Sequence, residues 1–336
     1  MKKLLRIYIC FLIIGLTLTA GSALSASDPL IAIVKVRTVV PESARTAAAL
    51  GTEREGSGVL IDSDGLILTI GYLILEAESI EVVVGSAAPV PATFVAYDHE
   101  TGFGLLRIAP PVGVEPVKLG RSADIKEGNP VLIASHGGIE GARRAYVLSR
   151  GEFAGYWEYL LDNAIYIAPA HPNFGGAALI GPDGHLLGIG SIFTRLTVPG
   201  YGQVPGNMIV PIDLLKPIQQ SLVKTGRSQF PVRPWLGVYL EESHGRVIVN
   251  RESMDSPAQK AGLQSGDIIL SVNLEPVRNL AECYRRIWAI GDAGVEVPLE
   301  VLKRTHVKPI KVQSADRHQY LHIQQVRGAP QKIYSF

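Results

Sequence analysis

The imidazoles of this 336-residue sequence fall in turn-rich segments: His99 between Asp98 and Glu100, His136 between Ser135 and Gly137-Gly138, and His171 just before Pro172-Asn173-Phe174-Gly175-Gly176. A histidine near a serine or a carboxylate is the raw material of a general base and an activated nucleophile. Zinc would use the same ring nitrogens. None of His99, His136 and His171 belongs to a His-x₃-His pair, however, and Cys10 and Cys283 form no Cys-x₂-Cys pair. A metal at His99, His136 and His171 would need three loops to converge. The three are therefore read as loop histidines, on the surface or satisfied by backbone groups, with no metal and no cofactor expected.

Turns imply the strands that carry them. With 47% hydrophobic and 19% charged residues, the chain has the composition of a folded globular protein, and 35 Gly with 22 Pro favour short strands over long helices. A formal charge of +1 lacks the cationic surplus of a nucleic-acid protein. Gly58 to Ile61 and Leu66 to Thr69 flank Asp62-Ser63-Asp64-Gly65 as a hairpin, and six more apolar segments follow up to Ile189. Such regular spacing predicts a barrel or sandwich. Leu214, Leu215, Ile218 and Leu222 share a helical face, which predicts one closing helix over Asp213 to Lys224.

The two ends of this unit read differently. Lys2, Lys3 and Arg6 precede an uncharged run from Ile7 to Ala20, and Ala23-Leu24-Ser25 supplies the small-x-small pattern of a signal peptide cleaved near Ser25/Ala26. An uncleaved membrane anchor is the alternative. Loss of Cys10 with the signal would leave Cys283 without an intrachain partner. At the other end, residues 227–232 read as a Pro-containing linker, followed by a mixed α and β segment over 233–316 and a tail over 317–336. Within that segment Ser256-Pro257 and Asn279 predict the starts of two helices.

Gly56-Ser57-Gly58-Val59-Leu60-Ile61-Asp62 with Asp64-Gly65-Leu66-Ile67-Leu68-Thr69 resembles the opening of the protease domain of the HtrA/Deg family of trypsin-like serine proteases. Trp235-Leu236-Gly237-Val238, Ser256 to Leu263 and Gly266-Asp267-Ile268-Ile269 resemble the PDZ domain that follows it in that family. The resemblance runs in order over nearly all of residues 30–316. It implies a mainly β chain: a chymotrypsin/trypsin-like double β-barrel over 26–226 and one α+β PDZ domain over 233–316.

The resemblance also locates where catalysis should sit, and there this chain departs from its relatives. Tyr72, in Thr69-Ile70-Gly71-Tyr72-Leu73, stands where the family has its histidine. A phenol with a pKa near ~10 does not replace imidazole as a base at neutral pH. Gly102, in Asp98-His99-Glu100-Thr101-Gly102-Phe103, stands at the aspartate position, and Phe174 replaces the serine of Gly-Asn-Ser-Gly-Gly. Pro172 takes the place of the motif's first glycine and has no N–H to give an oxyanion. Four losses inside matching flanks imply a pseudoprotease.

For the PDZ segment the resemblance implies peptide capture by strand addition, with the main-chain N–H groups of a loop holding a terminal carboxylate. Trp235, Leu236, Gly237 and Val238 are the matching loop and strand start; Leu280, Cys283 and Ile287 would line the pocket, and Arg233 would add positive charge. Leu274 follows Asn273 where the family has glycine, which a turn needing φ > 0 accommodates poorly. The leading expectation is a cell-envelope protein, periplasmic or nearby, that binds peptide C-termini or unfolded segments as sensor, scaffold or chaperone. The alternatives are a regulatory partner of an active HtrA-type relative and a serine-type endopeptidase with a non-standard site. The family's trimers are built through N-terminal aromatics, and Asp28 to Glu55 contains no Phe, Tyr or Trp.

Overall fold

The computed structural model describes residues 29–111, 113–321 and 323. The signal segment over 1–25, its cleavage point and residues 324–336 of the tail lie outside the described residues.

The first seven strands, β1 (Ile33–Val39), β2 (Glu53–Leu60), β3 (Leu66–Ile70), β4 (Ser79–Val83), β5 (Val90–Pro91), β6 (Thr93–Tyr97) and β7 (Phe103–Arg107), form one antiparallel sheet in the order β5-β4-β1-β2-β3-β7-β6. The β2–β3 hairpin is set locally: the Asp62 carboxylate accepts from the backbone N–H of Asp64 at 2.9 Å and of Leu66 at 2.8 Å. Every residue of β3 is buried, including Thr69, whose hydroxyl donates to the Ser57 carbonyl oxygen at 2.7 Å. A short helix α1 (Ala47–Leu50) lies in the β1–β2 connection.

The next six strands, β8 (Pro130–Ala134), β9 (Ala142–Gly155), β10 (Tyr159–Ala168), β11 (Ala178–Ile180), β12 (Leu186–Val198) and β13 (Gly202–Pro211), close into a barrel. The helix read over Asp213 to Lys224 divides into a 3-10 turn, Ile212–Leu214, and helix α2 (Gln219–Thr225). Pro217 lies between them, and its missing N–H interrupts a continuous helix. Leu215, Ile218 and Leu222 are still buried against the core of the first sheet.

The third unit has β14 (Val238–Ser243), β15 (Arg246–Glu252), β16 (Ile268–Val272), β17 (Glu275–Pro276), β18 (Glu296–Lys303) and β19 (His306–Gln313), in the order β14-β15-β16-β18-β19 with β17 beside β16. Ser256 caps α3 (Pro257–Lys260) by accepting from the Gln259 N–H, and Asn279 caps α4 (Leu280–Trp288) by accepting from the Glu282 N–H. β14 is an edge strand of this sheet.

Two features join the units. The β9–β10 hairpin carries Leu160 into the apolar cluster of the third unit, beside Val238, Leu240, Leu280 and Ile287. Helix α5 (Arg317–Tyr320) packs Tyr320 against Trp235, with ring centroids 4.3 Å apart, and Asp316 just before it holds Arg227 of the linker at 2.6 Å. Among the described residues, no helix is long and apolar enough to cross a membrane.

Candidate functional site

The fold brings Tyr72, Gly102 and Phe174 together. Tyr72 lies in the 3-10 turn Gly71–Leu73 directly after β3, and Gly102 in the turn between β6 and β7. The Gly71 N–H donates to the Gly102 carbonyl oxygen at 2.7 Å, which locks the two turns to each other. Phe174 lies in the loop between β10 and β11, and a Cβ added at neighbouring Gly175 would come within 2.8 Å of the Tyr72 hydroxyl.

None of the three residues offers a free base or nucleophile. The Tyr72 hydroxyl donates to the Ser191 carbonyl oxygen at 3.0 Å, and burial drives the phenol far above its ordinary pKa, so it keeps its proton. Gly102 has φ +79°, and a Cβ there would meet the Tyr159 hydroxyl at 3.0 Å. That hydroxyl is itself committed to the Thr101 carbonyl oxygen at 2.7 Å. The Phe174 ring is half-buried and lies 6.4 Å from that of Phe193. Pro172 occupies an exposed turn.

The nearby imidazoles are separately engaged. His171 is held between the Gly141 carbonyl oxygen at Nε2 and the Asn173 N–H at Nδ1. His99 meets the Tyr97 hydroxyl through Nδ1 at 2.9 Å, and burial followed by the adjacent Arg317 guanidinium holds its pKa well below the usual value. His136 Nδ1 lies 3.3 Å from the Ser57 hydroxyl, whose oxygen also accepts the His136 backbone N–H at 3.0 Å. Ser57 is fully buried, so this pair does not present a nucleophile to substrate. Among the described residues, no group of three or more His, Cys, Asp or Glu could hold a metal.

The peptide-binding positions tell a different story. Gly237, at φ +79°, turns the loop Trp235-Leu236-Gly237-Val238 so that three consecutive N–H groups point to one place. All three converge on the carboxylate of Glu158, from the tip of the β9–β10 hairpin: Leu236 N–H at 2.9 Å on Oε2, Gly237 N–H at 2.7 Å and Val238 N–H at 3.0 Å on Oε1. Glu158 is 2% exposed and adopts φ +57°. Burial pushes its pKa up, against the pull of the three donors and of Arg317. The Tyr284 hydroxyl on α4 pins the same turn, donating to the Gly155 carbonyl oxygen at 2.8 Å and accepting the Glu158 N–H at 3.3 Å. Leu240 on β14 donates to the Tyr156 carbonyl oxygen at 2.8 Å.

Of the residues named from sequence, Leu236, Gly237 and Val238 thus form the carboxylate cradle, while Trp235 is 6% exposed and packs on Tyr320. Leu280, Cys283 and Ile287 are buried in the cluster that holds Leu160, and burial raises the Cys283 thiol far above its usual range. Arg233 does not face the carboxylate. It pairs with Glu100 at 3.2 Å and stacks on the Trp288 ring at 4.2 Å, because the chain turns it toward the peptidase-side surface. The cation nearest in effect to Glu158 is Arg317, which donates to the Trp157 carbonyl oxygen at 3.0 Å. Glu158, Tyr284 and Arg317 escape a motif reading; the one local signal is an acidic residue amid Tyr156-Trp157-Glu158-Tyr159-Leu160.

The seven-stranded sheet, the closed barrel beside it and the carboxylate cradle define a chain that joins a trypsin-like peptidase domain to one PDZ domain. A trypsin-like peptidase domain matches residues 56–189, and a PDZ domain matches residues 234–313. The homologues are DegP-like. A probable periplasmic serine endoprotease DegP-like of Pseudomonas putida is 29% identical over 284 residues, covering 78% of this chain and 56% of the relative. Its counterpart in Bartonella henselae is 29% identical over 273 residues, covering 76% and 52%. The chain therefore spans little more than half the length of these relatives. The structural neighbours are HtrA-type: a variant of the HtrA-type protease AlgW with tripeptide aligns at TM-score 0.53 and 21% identity, covering 86% of this chain and 95% of that one. The serine endoprotease from Yersinia pestis aligns at 0.50 and 22%, with the same coverage. At that identity the likeness speaks for the fold.

Proposed function

We propose that this chain is a catalytically inactive relative of the DegP-like endoproteases that captures carboxylate-bearing peptide ends, or unfolded segments, through its PDZ domain, as a sensor, scaffold or chaperone. A periplasmic setting is supported by the names of its homologues. The observation that carries the reading is the convergence of the Leu236, Gly237 and Val238 N–H groups on one carboxylate. Charge-assisted bonds of this kind are worth roughly twice neutral ones, so the loop selects a carboxylate over an amide or alcohol.

Inactivity is supported by Tyr72, Gly102, Phe174 and Pro172. Loss of the triad as a unit costs about 10⁶ in rate, and each oxyanion donor about 10² to 10³. The test has two arms. Purified protein is incubated with fluorescent casein and with a fluorophosphonate, and neither turnover nor labelling is expected; cleavage that changes with the chain's own point variants overturns inactivity. The protein is then titrated with decapeptides bearing either a free or an amidated C-terminus. Equal binding of the two forms overturns carboxylate capture.

A further inference from the structure

We infer that the PDZ groove is closed by an internal ligand, the tip of the β9–β10 hairpin, with the Glu158 side chain standing where a peptide's terminal carboxylate would lie. The inference rests on the reading of this groove as a carboxylate-binding peptide site, and it concerns how that site is regulated.

The hairpin tip reproduces what a bound peptide would supply. A carboxylate fills the cradle of three N–H groups. A backbone carbonyl, that of Tyr156, accepts from Leu240 on the β14 edge, as an added strand would. An apolar side chain, Leu160, joins the cluster formed by Val238, Leu240, Leu280 and Ile287. A chain of ordinary covalent order cannot end in mid-sequence, so the carboxylate must come from a side chain. The turn that aims it is costly: Glu158 takes a left-handed backbone conformation with a bulky side chain, which persists only where its surroundings enforce it. Tyr284 enforces it by gripping the turn on both sides.

The closure is also wired to the former catalytic centre. The Glu158 carbonyl oxygen lies 3.0 Å from His99 Nε2, and the next residue, Tyr159, donates to Thr101 beside Gly102. A peptide that takes the cradle must expel Glu158, and the expulsion pulls on the turn that holds residues 98–102. Occupancy of the groove is thereby made mechanically continuous with the peptidase barrel. A site whose competent state is a minor fraction binds with an affinity reduced by that fraction.

The full-length protein, its Glu158→Gln variant and its Tyr284→Phe variant are compared in two measurements. The first is amide hydrogen exchange at Leu236, Gly237 and Val238; the second is titration with a fluorescein-labelled octapeptide ending in Ala-Ala-Leu, its free-carboxylate and amidated forms alongside. Removing a charge shared by three donors is expected to raise exchange at these amides and to tighten the free-carboxylate peptide by roughly tenfold or more. Tyr284→Phe keeps the carboxylate but loosens its turn, and a smaller change in the same direction is expected, which preserves the test if Glu158→Gln does not fold. Exchange and affinity that are unchanged in both variants overturn the internal ligand. Exchange that rises while no variant binds either peptide sustains the internal ligand and overturns the peptide-site reading instead.

Discussion

The hydroxyl of Tyr72 donates to the carbonyl oxygen of Ser191 at 3.0 Å, tying the turn after β3 in the first sheet to strand β12 of the closed barrel. Tyr72 acts here as a strut. Its raised pKa keeps the donor protonated at every physiological pH, so the bond does not titrate. Tyr72→Phe leaves the Ser191 carbonyl without this donor and is expected to cost about 1 kcal/mol, or about 2 to 4 °C in Tm, with no effect on hydrolysis. Differential scanning calorimetry of the two proteins checks this, and an unchanged Tm contradicts the strut.

Gly102 sets a harder limit on restoring catalysis. An aspartate there would carry its side chain at φ +79° and place Cβ 3.0 Å from the Tyr159 hydroxyl. Left-handed backbone costs a non-glycine residue roughly 1 to 2 kcal/mol before that contact is counted. The combined variant Tyr72→His, Gly102→Asp, Pro172→Gly, Phe174→Ser is therefore expected to be less stable than the parent and to show no turnover of fluorescent casein. Measurable turnover would mean that the Asp98 to Phe103 turn can rearrange around a new side chain.

Much of this was legible in the sequence because it is local. The N-caps Ser256 and Asn279 and the Asp62 turn are each read from a few adjacent residues, and local hydrogen bonds are what form there. Pro217 is a local signal of the same kind, a helix break inside an apolar periodicity that by itself favours one continuous helix. Glu158 is different in kind. It lies 78 to 80 residues from the N–H groups it binds, and nothing in the residues around either segment encodes the docking of one unit on the other. The position of Arg233 depends on the same docking, which is why charge near the loop in sequence did not become charge near the carboxylate in space.

The interface should also respond to acid. His318 is stacked on Tyr97, and its pKa is pushed down to about 4 by burial first and then by Arg227 and Arg317, with Asp316 pulling the other way. A histidine lowered in the folded state binds fewer protons there than in the unfolded chain, so stability is full above pH ~6.5 and declines as pH falls toward 4. The lowered pKa of buried His99 acts in the same direction, while the raised pKa values of Glu158, Asp98 and Glu100 oppose it, so the His318 contribution is read from the difference between the parent and its variant. For His318 alone the loss across this window is up to about 3 kcal/mol. Across urea midpoints measured at pH 7.5, 6 and 5, the parent should fall relative to a His318→Gln variant; a parent midpoint that rises relative to the variant's with acid would reverse the assignment.

Leu274 offers a prediction of the opposite sign, a substitution that strengthens the fold. The β16–β17 turn places both Asn273 and Leu274 at positive φ, +49° and +67°. Asparagine tolerates that region, whereas leucine adopts it only under constraint from the hairpin. The Leu274 side chain is 82% exposed, so burial returns little for the strain. Leu274→Gly removes the steric penalty and adds some chain entropy to the unfolded state; the first effect, roughly 1 to 2 kcal/mol, exceeds the second, about 0.5 to 1 kcal/mol. A net gain of up to about 1 kcal/mol is expected, visible as a higher urea midpoint for the transition that includes the PDZ unit. Leu274→Ala keeps a Cβ at the same backbone angles and should give none of that gain. If alanine stabilises as well as glycine, exposed apolar surface and not backbone strain is what the leucine costs.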